Sequence, residues 1–580
     1  MSGEEYDYIV VGSGAGGGPL AANLAKRGSR VLLIEAGSDP ETYLYQVPCF
    51  HAFSTEEKAM AWNFFVHHYS RDEDRDTKFC PEQNGVFYPR AGTLGGCTAH
   101  NAMITIVPHD SDWNGIAEVT GDDSWRAERM RPYFQRVQQW LMVNTVDPRM
   151  GLEDPEIVQT VIDAAMRGGC LGVIDRIFSR RKLHFDPNED DNIGAEGLTS
   201  RVPLATTTNG RRNSTREYIR CVQKARPDCL EVRMNNLATR VIFGDGNRAV
   251  GVECLEGEHL YHADPGAAAA APPMKREYRC KREVVLAGGA FNTPQLLMLS
   301  GIGPKQHLEQ MKISCRLDRP GVGSNLQDRY EVAVVSEMRS DFSILSGATF
   351  RPPAGDEAGD SCFQQWKLEG NGMYTSNGTV AAIITKSKES RHDPDLFIFG
   401  VPGNFKGYYP GYSKDLERAK NFFTWAIIKA HTNNTSGTVR LRSSDPRQTP
   451  DINFHYFDEG NDPHSEDLHS VVAGVEIVRQ MNARNSAIAA EIVPGPDVRG
   501  RQQIAEWVKN NAWGHHASCS SRIGREDDPL AVVDSRFRVI GTQGLRIVDA
   551  SVFPRIPGFF IVAPIFMISE KATDVITEGG

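Results

Sequence analysis

The stretch YIVVGSGAGGGPLAANLAKRGSRVLLIE, residues 8–35, decides the fold of the N-terminal part of the chain. Its first four residues form an apolar, β-branched run, which is typical of a buried parallel strand. A glycine-rich turn follows, then a run over 19–25 that favours a helix, and then a second apolar run over 31–34. Strand, glycine turn, helix and strand in this order predict a βαβ unit that binds a dinucleotide.

The glycines and the acidic residue of this unit have separate expected roles. Gly12 permits the tight turn, Gly14 lets the backbone approach a pyrophosphate, and Gly17 allows the helix to pack close to the strand. The free N–H groups at the start of the helix offer partial positive charge to the phosphates. Glu35, 23 positions after Gly12, is placed to accept hydrogen bonds from an adenosine ribose. This unit alone leaves open whether the nucleotide is NAD or FAD.

The composition of the 580-residue chain is that of an ordinary globular protein, with 40% hydrophobic and 24% charged residues. It excludes a disordered chain, a coiled coil and a collagen-like repeat. The chain has 64 Lys and Arg against 74 Asp and Glu, which gives a net charge of −10, and it contains no basic block. We therefore expect no nucleic-acid partner and no binding to an anionic membrane.

The sequence also carries signals about location. The start, residues 1–8, is polar and acidic, without the basic and apolar regions of a secretory signal. The most apolar late stretch, residues 559–568, is about half the length that a membrane span requires. The 11 cysteines are an odd number and contain no C-x-x-C, so no disulfide framework is indicated. We expect a cytoplasmic protein with reduced thiols and no membrane partner.

Four further segments resemble the glucose–methanol–choline (GMC) oxidoreductases. Residues 90–101 (RAGTLGGCTAHN) resemble the first signature of that family, and residues 289–303 (GAFNTPQLLMLSGIG) resemble the second. Residues 320–328 (PGVGSNLQD) and 545–551 (LRIVDAS) are also family-like. The segments lie in family order and extend over nearly the whole chain. This resemblance implies FAD rather than NAD as the cofactor, and oxidation of a C–OH group as the activity.

The resemblance implies an α/β fold with two interleaved domains. A Rossmann-like FAD-binding domain would comprise residues 1–110, 200–330 and 505–580, and a substrate-binding domain with an antiparallel sheet would comprise 111–199 and 330–504. Residues 236–252 look like the hairpin that packs near the adenine in this family. The alternating pattern of residues 437–442 predicts a strand of the antiparallel, one-sided sheet.

The resemblance also assigns residues to the cofactor site. Gly95 and Gly96 would let a loop lie against the pyrophosphate and the ring of the flavin without Cβ clashes. Asp549 follows a strand-like run, and the backbone amides beside it, including that of Ala550, would hold the pyrophosphate or the ribityl chain. The alternative role for Asp549 is a helix N-cap.

His100 and Asn101 end the first signature. The run from Gly95 to Asn101 is similar to the version in choline oxidases, where the histidine at this position is bonded covalently to the flavin 8α-methyl group. The resemblance therefore implies covalent attachment of FAD through His100. The alternative is a histidine packed near the dimethylbenzene edge of the flavin.

Residues 514–524 (GHHASCSSRIG) resemble the segment that carries the catalytic histidine of the family. Hydride transfer from an alcohol to flavin N5 needs a base that takes the hydroxyl proton, and histidine, with an ordinary pKa near 6.5, suits that task. Counting back from Gly524 places His516 in the catalytic position, whereas His515 is expected to be structural. The alternative for His516 is a packed or hydrogen-bonded histidine.

One position departs from the family pattern. A second His or Asn normally precedes the last helix, and the alignment of residues 563–572 places Val562 there. Loss of such a hydrogen-bond donor can cost about 3 kcal/mol in the transition state. We expect Phe560 and Val562 to line the substrate pocket, which favours an apolar or aromatic alcohol over a sugar. The alternative is that they only pack the final helix.

Three functional hypotheses follow from the sequence. The leading one is a FAD-dependent alcohol oxidase or dehydrogenase that acts on a small-molecule alcohol, with O₂ or another electron acceptor; space left by Gly514 near the flavin favours an oxidase slightly. The second is a lyase or photochemical enzyme of the same fold, motivated by Val562. The third is a non-catalytic flavoprotein, and His516 argues against it. No metal is expected, and a homo-oligomer is left open.

Overall fold

The computed structural model describes residues 6–145, 154–167, 185–353, 359–418 and 420–578. Parts of the predicted segments 1–110 and 111–199, namely residues 1–5, 146–153 and 168–184, lie outside the described residues. The described helices of six or more residues are Gly17–Lys26, Asp110–Thr120, Ala127–Val137, Pro155–Arg167, Thr215–Ala225, Gly289–Leu299, Lys305–Gln310, Ser361–Glu369, Tyr412–Arg418, Glu466–Asn482, Gly500–Asn511 and Val562–Glu578. Within these described ranges, every helix is too short or too polar to cross a lipid bilayer.

A seven-stranded sheet, called here the first sheet, contains the N-terminal unit. Its parallel strands lie side by side in the order Leu545–Ile547, Met274–Leu286, Tyr6–Val11, Val31–Ile34 and Leu230–Arg233. Strands Asn236–Phe243 and Ala249–Glu256 form an antiparallel hairpin that extends the sheet beside the first half of Met274–Leu286. The side chains of the two N-terminal strands are almost wholly buried, as expected when helices cover both faces of a parallel sheet. The predicted βαβ unit is therefore confirmed, as is the hairpin.

Helix Gly17–Lys26 is buried between two other helices. It packs against Thr215–Ala225 on one side and against Val562–Glu578 on the other. Nine of its ten residues are buried, and most of them are Gly or Ala, so neighbouring backbones can approach closely. The buried Asn23 side chain donates to Glu570 Oε1 at 2.8 Å, which links the N-terminal helix to the last helix.

A second sheet has six strands, all antiparallel. Its order is Ile488–Val493, Glu331–Met338, Phe422–Lys429, Leu396–Pro402, Ala381–Thr385 and Gly197–Thr199. Helix Glu466–Asn482 packs on its central strands. The α/β class with a parallel sheet and a separate antiparallel sheet is thereby confirmed. The residue limits given above for the two domains stay a prediction.

The prediction that residues 437–442 belong to the antiparallel sheet is wrong. Strand Thr438–Arg440 pairs with Asp451–Asn453 in a separate two-stranded sheet. Its other edge bonds to the loop before the second sheet, where Val439 N–H donates to the Gly323 carbonyl at 2.8 Å. The alternation of small or apolar and polar residues identified the strand correctly, and Val439 is buried as that pattern predicts. Alternation carries no information about which strand lies beside it.

Two backbone pairings, called here the junction ladder, join residues 513–518 to the segment that leads into the second sheet. Gln327 pairs with Ser518, and Glu331 pairs with Trp513, each through two N–H···O bonds of 2.9–3.0 Å. Glu331 is also the first residue of a strand of the second sheet. The junction ladder therefore holds residues 513–518, which include both histidines of the predicted catalytic segment, at the edge of the second sheet.

Candidate active site

One cavity of about 310 Å³ brings together most of the residues predicted from the sequence. The predicted residues that line it are Gly12, Gly14, Glu35, Gly96, His100, Asn101, Asp549, Ala550, His516, Phe560 and Val562. Gly17 and Gly95 lie just behind the lining. Histidine 515, expected to be structural, also lines the cavity.

The glycine turn at the end of strand Tyr6–Val11 forms one wall. Gly12 has a φ of +100°, and a Cβ there would lie 2.4 Å from the Ala287 carbonyl oxygen, so no other residue fits. A Cβ on Gly17 would lie 2.1 Å from the Gly12 carbonyl oxygen, so the start of the helix rests directly on the turn. The free N–H groups of this helix start lie beside the cavity, where an anion would be favoured.

The Glu35 carboxylate holds this turn from inside. One oxygen accepts from Ser13 N–H at 3.2 Å and from Ser13 Oγ, and the other accepts from Gly37 N–H at 3.0 Å. Burial raises the pKa of Glu35, opposed by these hydrogen bonds. Glu35 thus connects two loops of the cavity wall, and its bond to a ribose stays a prediction.

The loop of the first signature meets the glycine turn. Gly95 N–H donates to Ser13 Oγ at 2.9 Å, and a Cβ on Gly96 would lie 2.9 Å from Gly14 Cα. The end of the loop is held by Arg212, whose Nη1 donates to the Asn101 carbonyl oxygen at 2.7 Å and to Asn101 Oδ1 at 2.9 Å. The side chain of Asn101 therefore helps to hold the end of the loop by accepting a hydrogen bond from Arg212.

His100 lies at the end of this loop and is almost fully buried. Its Nδ1 is buried without a hydrogen-bond partner among the described residues. Burial, with Arg90 and Arg212 nearby, lowers the pKa of His100 to about 3, so the imidazole is neutral. A neutral, unpartnered imidazole at the cavity wall suits contact with, or attachment to, an aromatic ring system.

Asp549 connects three segments at the opposite wall. Its Oδ2 accepts from Gly289 N–H at 2.8 Å and from Thr293 Oγ1 at 2.6 Å. Its Oδ1 accepts from Ser551 N–H at 2.8 Å and Ser551 Oγ at 2.6 Å, which caps the short turn that begins at Ala550. The N-cap role considered from the sequence is therefore present, and it places the Ala550 backbone at the cavity.

His516 is fixed by a buried carboxylate. Its backbone N–H donates to Asp328 Oδ1 at 2.8 Å, and Asp328 Oδ2 accepts from the Tyr88 hydroxyl at 2.6 Å. The same hydroxyl accepts from Ala517 N–H at 2.9 Å. Burial, then His515 and Arg329, lowers the pKa of His516 well below its usual value. The imidazole is therefore unprotonated at neutral pH.

A second buried carboxylate lies behind both histidine rings. Glu331 Oε1 lies 3.3 Å from Nδ1 of His516 and 3.4 Å from Nδ1 of His515. The two rings are stacked at a tilt, with centroids 4.1 Å apart. Because both Nδ1 atoms face Glu331 and both residues line the cavity, the ring edges that carry Nε2 face the cavity.

The remaining wall near the histidines is apolar and aromatic. The Phe560 ring meets His516 edge to face at 5.8 Å, and the Tyr408 ring meets His515 at 4.8 Å. Val562 begins the last helix and presents only carbon atoms to the cavity. The sequence suggested that Gly514 leaves space at the cavity, but Gly514 does not line it. A Cβ there would lie 2.4 Å from Asp328 Oδ2, so the small residue serves packing against Asp328.

The cavity offers the contacts that FAD requires. A helix start and a glycine loop offer backbone N–H groups for phosphates, and the unpartnered His100 imidazole offers a contact for an aromatic ring. The histidines lie on the same cavity. The residues present fit FAD.

Four side chains of the site escaped the sequence reasoning. Arg90 and Arg212 are charged and sit at the loop that carries His100, whereas Tyr88 and Glu331 hold the histidine segment. Glu331 is three positions after Asp328, the last residue of the NLQD run, and that proximity was a usable signal. Arg90 is the first residue of the 90–101 segment, whereas Arg212 and Tyr88 are distant in sequence from Asn101 and Ala517, which they contact.

The cavity, the parallel sheet and the buried histidines define a flavin-dependent oxidoreductase. Comparison with known proteins agrees, since the two family models described as GMC oxidoreductase match residues 6–331 and 433–569. The chain belongs to the GMC oxidoreductase family, and FAD is its cofactor.

Individual relatives cover nearly the full length. An oxygen-dependent choline dehydrogenase of Brucella anthropi is 30% identical over 586 aligned residues, 99% of this chain and 95% of that protein. A formate oxidase structure superimposes with a TM-score of 0.81 at 19% identity, covering 100% of this chain and 99% of that one. A fungal aryl-alcohol oxidase gives a TM-score of 0.72 at 20% identity, covering 99% of both chains. The two structural likenesses support the fold.

Proposed function

We propose that the protein oxidises a small alcohol to a carbonyl compound, with His516 as the base that removes the hydroxyl proton. The observation that carries this proposal is the buried imidazole of His516 on the same cavity as the cofactor loops, where burial lowers its pKa well below the usual value. A neutral imidazole has a free lone pair for the proton, which an alkoxide-forming step requires. FAD, when bound, supplies the acceptor for the hydride that leaves the carbinol carbon.

The chain's own residues would hold FAD at three places. Gly12, Gly14 and the start of helix Gly17–Lys26 would meet the pyrophosphate, and Glu35 the ribose. Gly96, His100 and Asn101 would lie along the flavin. The backbone at Asp549 and Ala550 would hold the ribityl or pyrophosphate part.

His516 is oriented for its role before substrate arrives. The hydrogen bond from its backbone to Asp328 fixes the position of the main chain, and Phe560 restricts the ring. The apolar wall excludes water from the reacting groups, which strengthens each hydrogen bond made there.

The walls favour an alcohol with an apolar or aromatic body. Phe560, Val562, Tyr408 and Trp62 all line the cavity, whereas a sugar would require polar partners at each hydroxyl. The choline dehydrogenase relative makes amino alcohols the class to test beside aromatic and aliphatic ones.

The acceptor that reoxidises the flavin is O₂ or another oxidant. The name of the relative, an oxygen-dependent choline dehydrogenase, supports O₂ as the first acceptor to test. A cytoplasmic location agrees with the ten cysteines among the described residues, all of which are free thiols.

Val562 supports a second candidate function. A carbon side chain stands where the family pattern has His or Asn, so a drifted reaction on bound FAD, lyase or photochemical, would not need the second polar group. This candidate predicts a flavin that no alcohol reduces.

Anaerobic absorbance of the holoenzyme with aliphatic, aromatic and amino alcohols, choline included, separates the two candidates. Bleaching of the flavin by one class would support alcohol oxidation, and fast recolouring in air would identify an oxidase. His516→Gln should slow bleaching by at least about 100-fold at unchanged FAD content. His392→Gln, at a side chain 91% exposed, is the matched control and should keep the wild-type rate. An unchanged rate in His516→Gln would overturn the assignment of the base.

A further inference from the structure

Three buried polar atoms meet at one point behind the cavity: Glu331 Oε1, His515 Nδ1 and His516 Nδ1. The carboxylate oxygen lies within 3.4 Å of both nitrogens. None of the three atoms has a hydrogen-bond partner of good geometry among the described residues. Buried polar atoms without partners are costly, and these three can satisfy one another through the placement of protons between them.

The protonation of Glu331 decides what the histidines present to the cavity. If Glu331 is ionised, both histidines donate Nδ1–H to it, and both Nε2 atoms face the cavity as acceptors. If Glu331 is protonated, its hydroxyl donates to one Nδ1 and accepts N–H from the other. The two histidines then take opposite tautomers, one with a lone pair on Nε2 and one with a proton there.

The surroundings favour the protonated carboxyl. Burial, and then Asp328, raises the pKa of Glu331 well above its usual range, although Arg329 and a hydrogen bond from Trp513 oppose this. Trp513 Nε1–H donates to Oε2 at 3.1 Å, so Oε1 is the oxygen left to carry the proton. Burial also lowers the pKa of His515 to about 3, so that imidazole does not take the proton instead.

We propose that Glu331 holds His515 and His516 in opposite tautomers, so that His515 supplies the hydrogen-bond donor that Val562 cannot. His516 donates Nδ1–H to Oε1 and keeps the lone pair on Nε2, as the base. His515 accepts the Glu331 proton at Nδ1 and carries N–H at Nε2, aimed at the substrate oxygen. This inference rests on the proposed function. Glu331 itself does not line the cavity, so it is a positioning residue.

The arrangement balances the protons of the reaction. The hydroxyl proton of the alcohol moves to Nε2 of His516, and the charge that forms on this imidazole is stabilised by the Glu331 oxygen. The N–H of His515 stays in place and donates to the alkoxide oxygen. The side chain of His515 is 29% exposed and lines the cavity, so a substrate can reach it.

The first test reads the tautomers without turnover. Nitrogen NMR of the ¹⁵N-histidine-labelled holoenzyme, assigned by loss of signals in His515→Gln and His516→Gln, should show Nε2–H for His515 and Nδ1–H for His516. In Glu331→Gln, Trp513 keeps the amide oxygen, and the amide NH₂ can only donate to the histidines. Both histidines should then become Nε2–H. Identical tautomers in the wild type would overturn the proposal.

The second test restores the donor at its family position. His515→Ala should slow flavin reduction by the best alcohol about 100-fold or more, the effect of removing one such donor. Val562→Asn in the His515→Ala background should recover at least tenfold, whereas Val562→Asn in the His516→Ala background should recover nothing. FAD content measured by absorbance shows that each variant is folded and loaded. No recovery in the first double variant would contradict the proposal.

Two further outcomes separate the possible failures. If no alcohol reduces the wild-type flavin, the proposed function fails, and the tautomer measurement still decides the inference. If elemental analysis finds a stoichiometric metal ion that Glu331→Gln loses, an ion rather than a proton lies between the three atoms. That result would overturn the proposal, since Glu331, His515 and His516 also have the spacing of metal ligands.

Discussion

Replacing Asp549 by Asn should both destabilise the protein and weaken the binding of FAD. The carboxylate accepts four hydrogen bonds, two on each oxygen. An Asn side chain keeps its oxygen toward Ser551 and turns its NH₂ toward Gly289 and Thr293. Two hydrogen bonds to a charged acceptor are then lost, and the Gly289 N–H faces another donor.

The magnitude follows from those two bonds. A hydrogen bond to a charged group is worth about 1.5–3 kcal/mol, so the loss is about 3–6 kcal/mol. At about 2.1 cal/mol/K per residue, unfolding of the whole chain in one transition has an entropy of about 1.2 kcal/mol/K, which converts the loss into a fall in Tm of about 2.5–5 °C. Because Gly289 and Ala550 line the cavity, we also expect the Kd for FAD to rise at least about tenfold.

Asp360 offers a matched control. It too is buried and accepts four hydrogen bonds, from Phe363 N–H, from Thr349 N–H and Oγ1, and from the Tyr374 hydroxyl, but it does not line the cavity. Flavin fluorescence on heating gives the Tm, and titration of the apoprotein gives the Kd. Asp360→Asn can keep its oxygen toward Thr349 and Tyr374 and loses only the bond from Phe363 N–H, so it should lower the Tm by about half as much and leave the Kd unchanged. Wild-type FAD affinity in Asp549→Asn would refute the reasoning.

Three other outcomes are expected. Acid precipitation should give a yellow pellet that His100→Ala loses, and a colourless pellet from the wild type would exclude the covalent bond. Burial, with His431 nearby, lowers the pKa of His109 to about 4, so between pH 6.5 and 4 the unfolded chain binds more protons than the folded protein. The free energy of unfolding therefore decreases as the pH is lowered through this window, by up to about 1.4 kcal/mol per pH unit. His109→Gln should flatten the dependence of Tm on pH in that window. Phe560→Leu should raise kcat/KM for bulky alcohols about tenfold relative to small ones, and an unchanged ratio would place Phe560 outside the substrate wall.

The local parts of the fold were predictable from the sequence. Strand Val31–Ile34 has the predicted limits, and helix Gly17–Lys26 extends the predicted run by one or two residues at each end. These elements depend on patterns within about thirty residues. The partner of strand Thr438–Arg440 was not predictable, because its neighbours are chosen by contacts more than ten residues away in both directions.

The same division holds at the site. His516 and Val562 were placed on the cavity because short family segments locate them. The side chains that hold the backbone at His516 and Ala517 come from distant parts of the chain. Tyr88 is 429 positions before Ala517, and Asp328 is 188 positions before His516. The role proposed for His515 could not be predicted from the sequence, because it depends on the contact of the imidazole with Glu331. A sequence pattern does not show which ring atom faces a carboxylate.

The junction ladder has a consequence for how such enzymes can diverge. Its backbone bonds hold Trp513 and Ser518 regardless of which side chains the second sheet carries, because main-chain groups make them. No residue of the described strand Glu331–Met338 lines the cavity, so substitutions farther along this strand can accumulate while the histidines keep their places. Glu331 is the exception on this strand, because its main chain holds Trp513 and its side chain contacts both histidines.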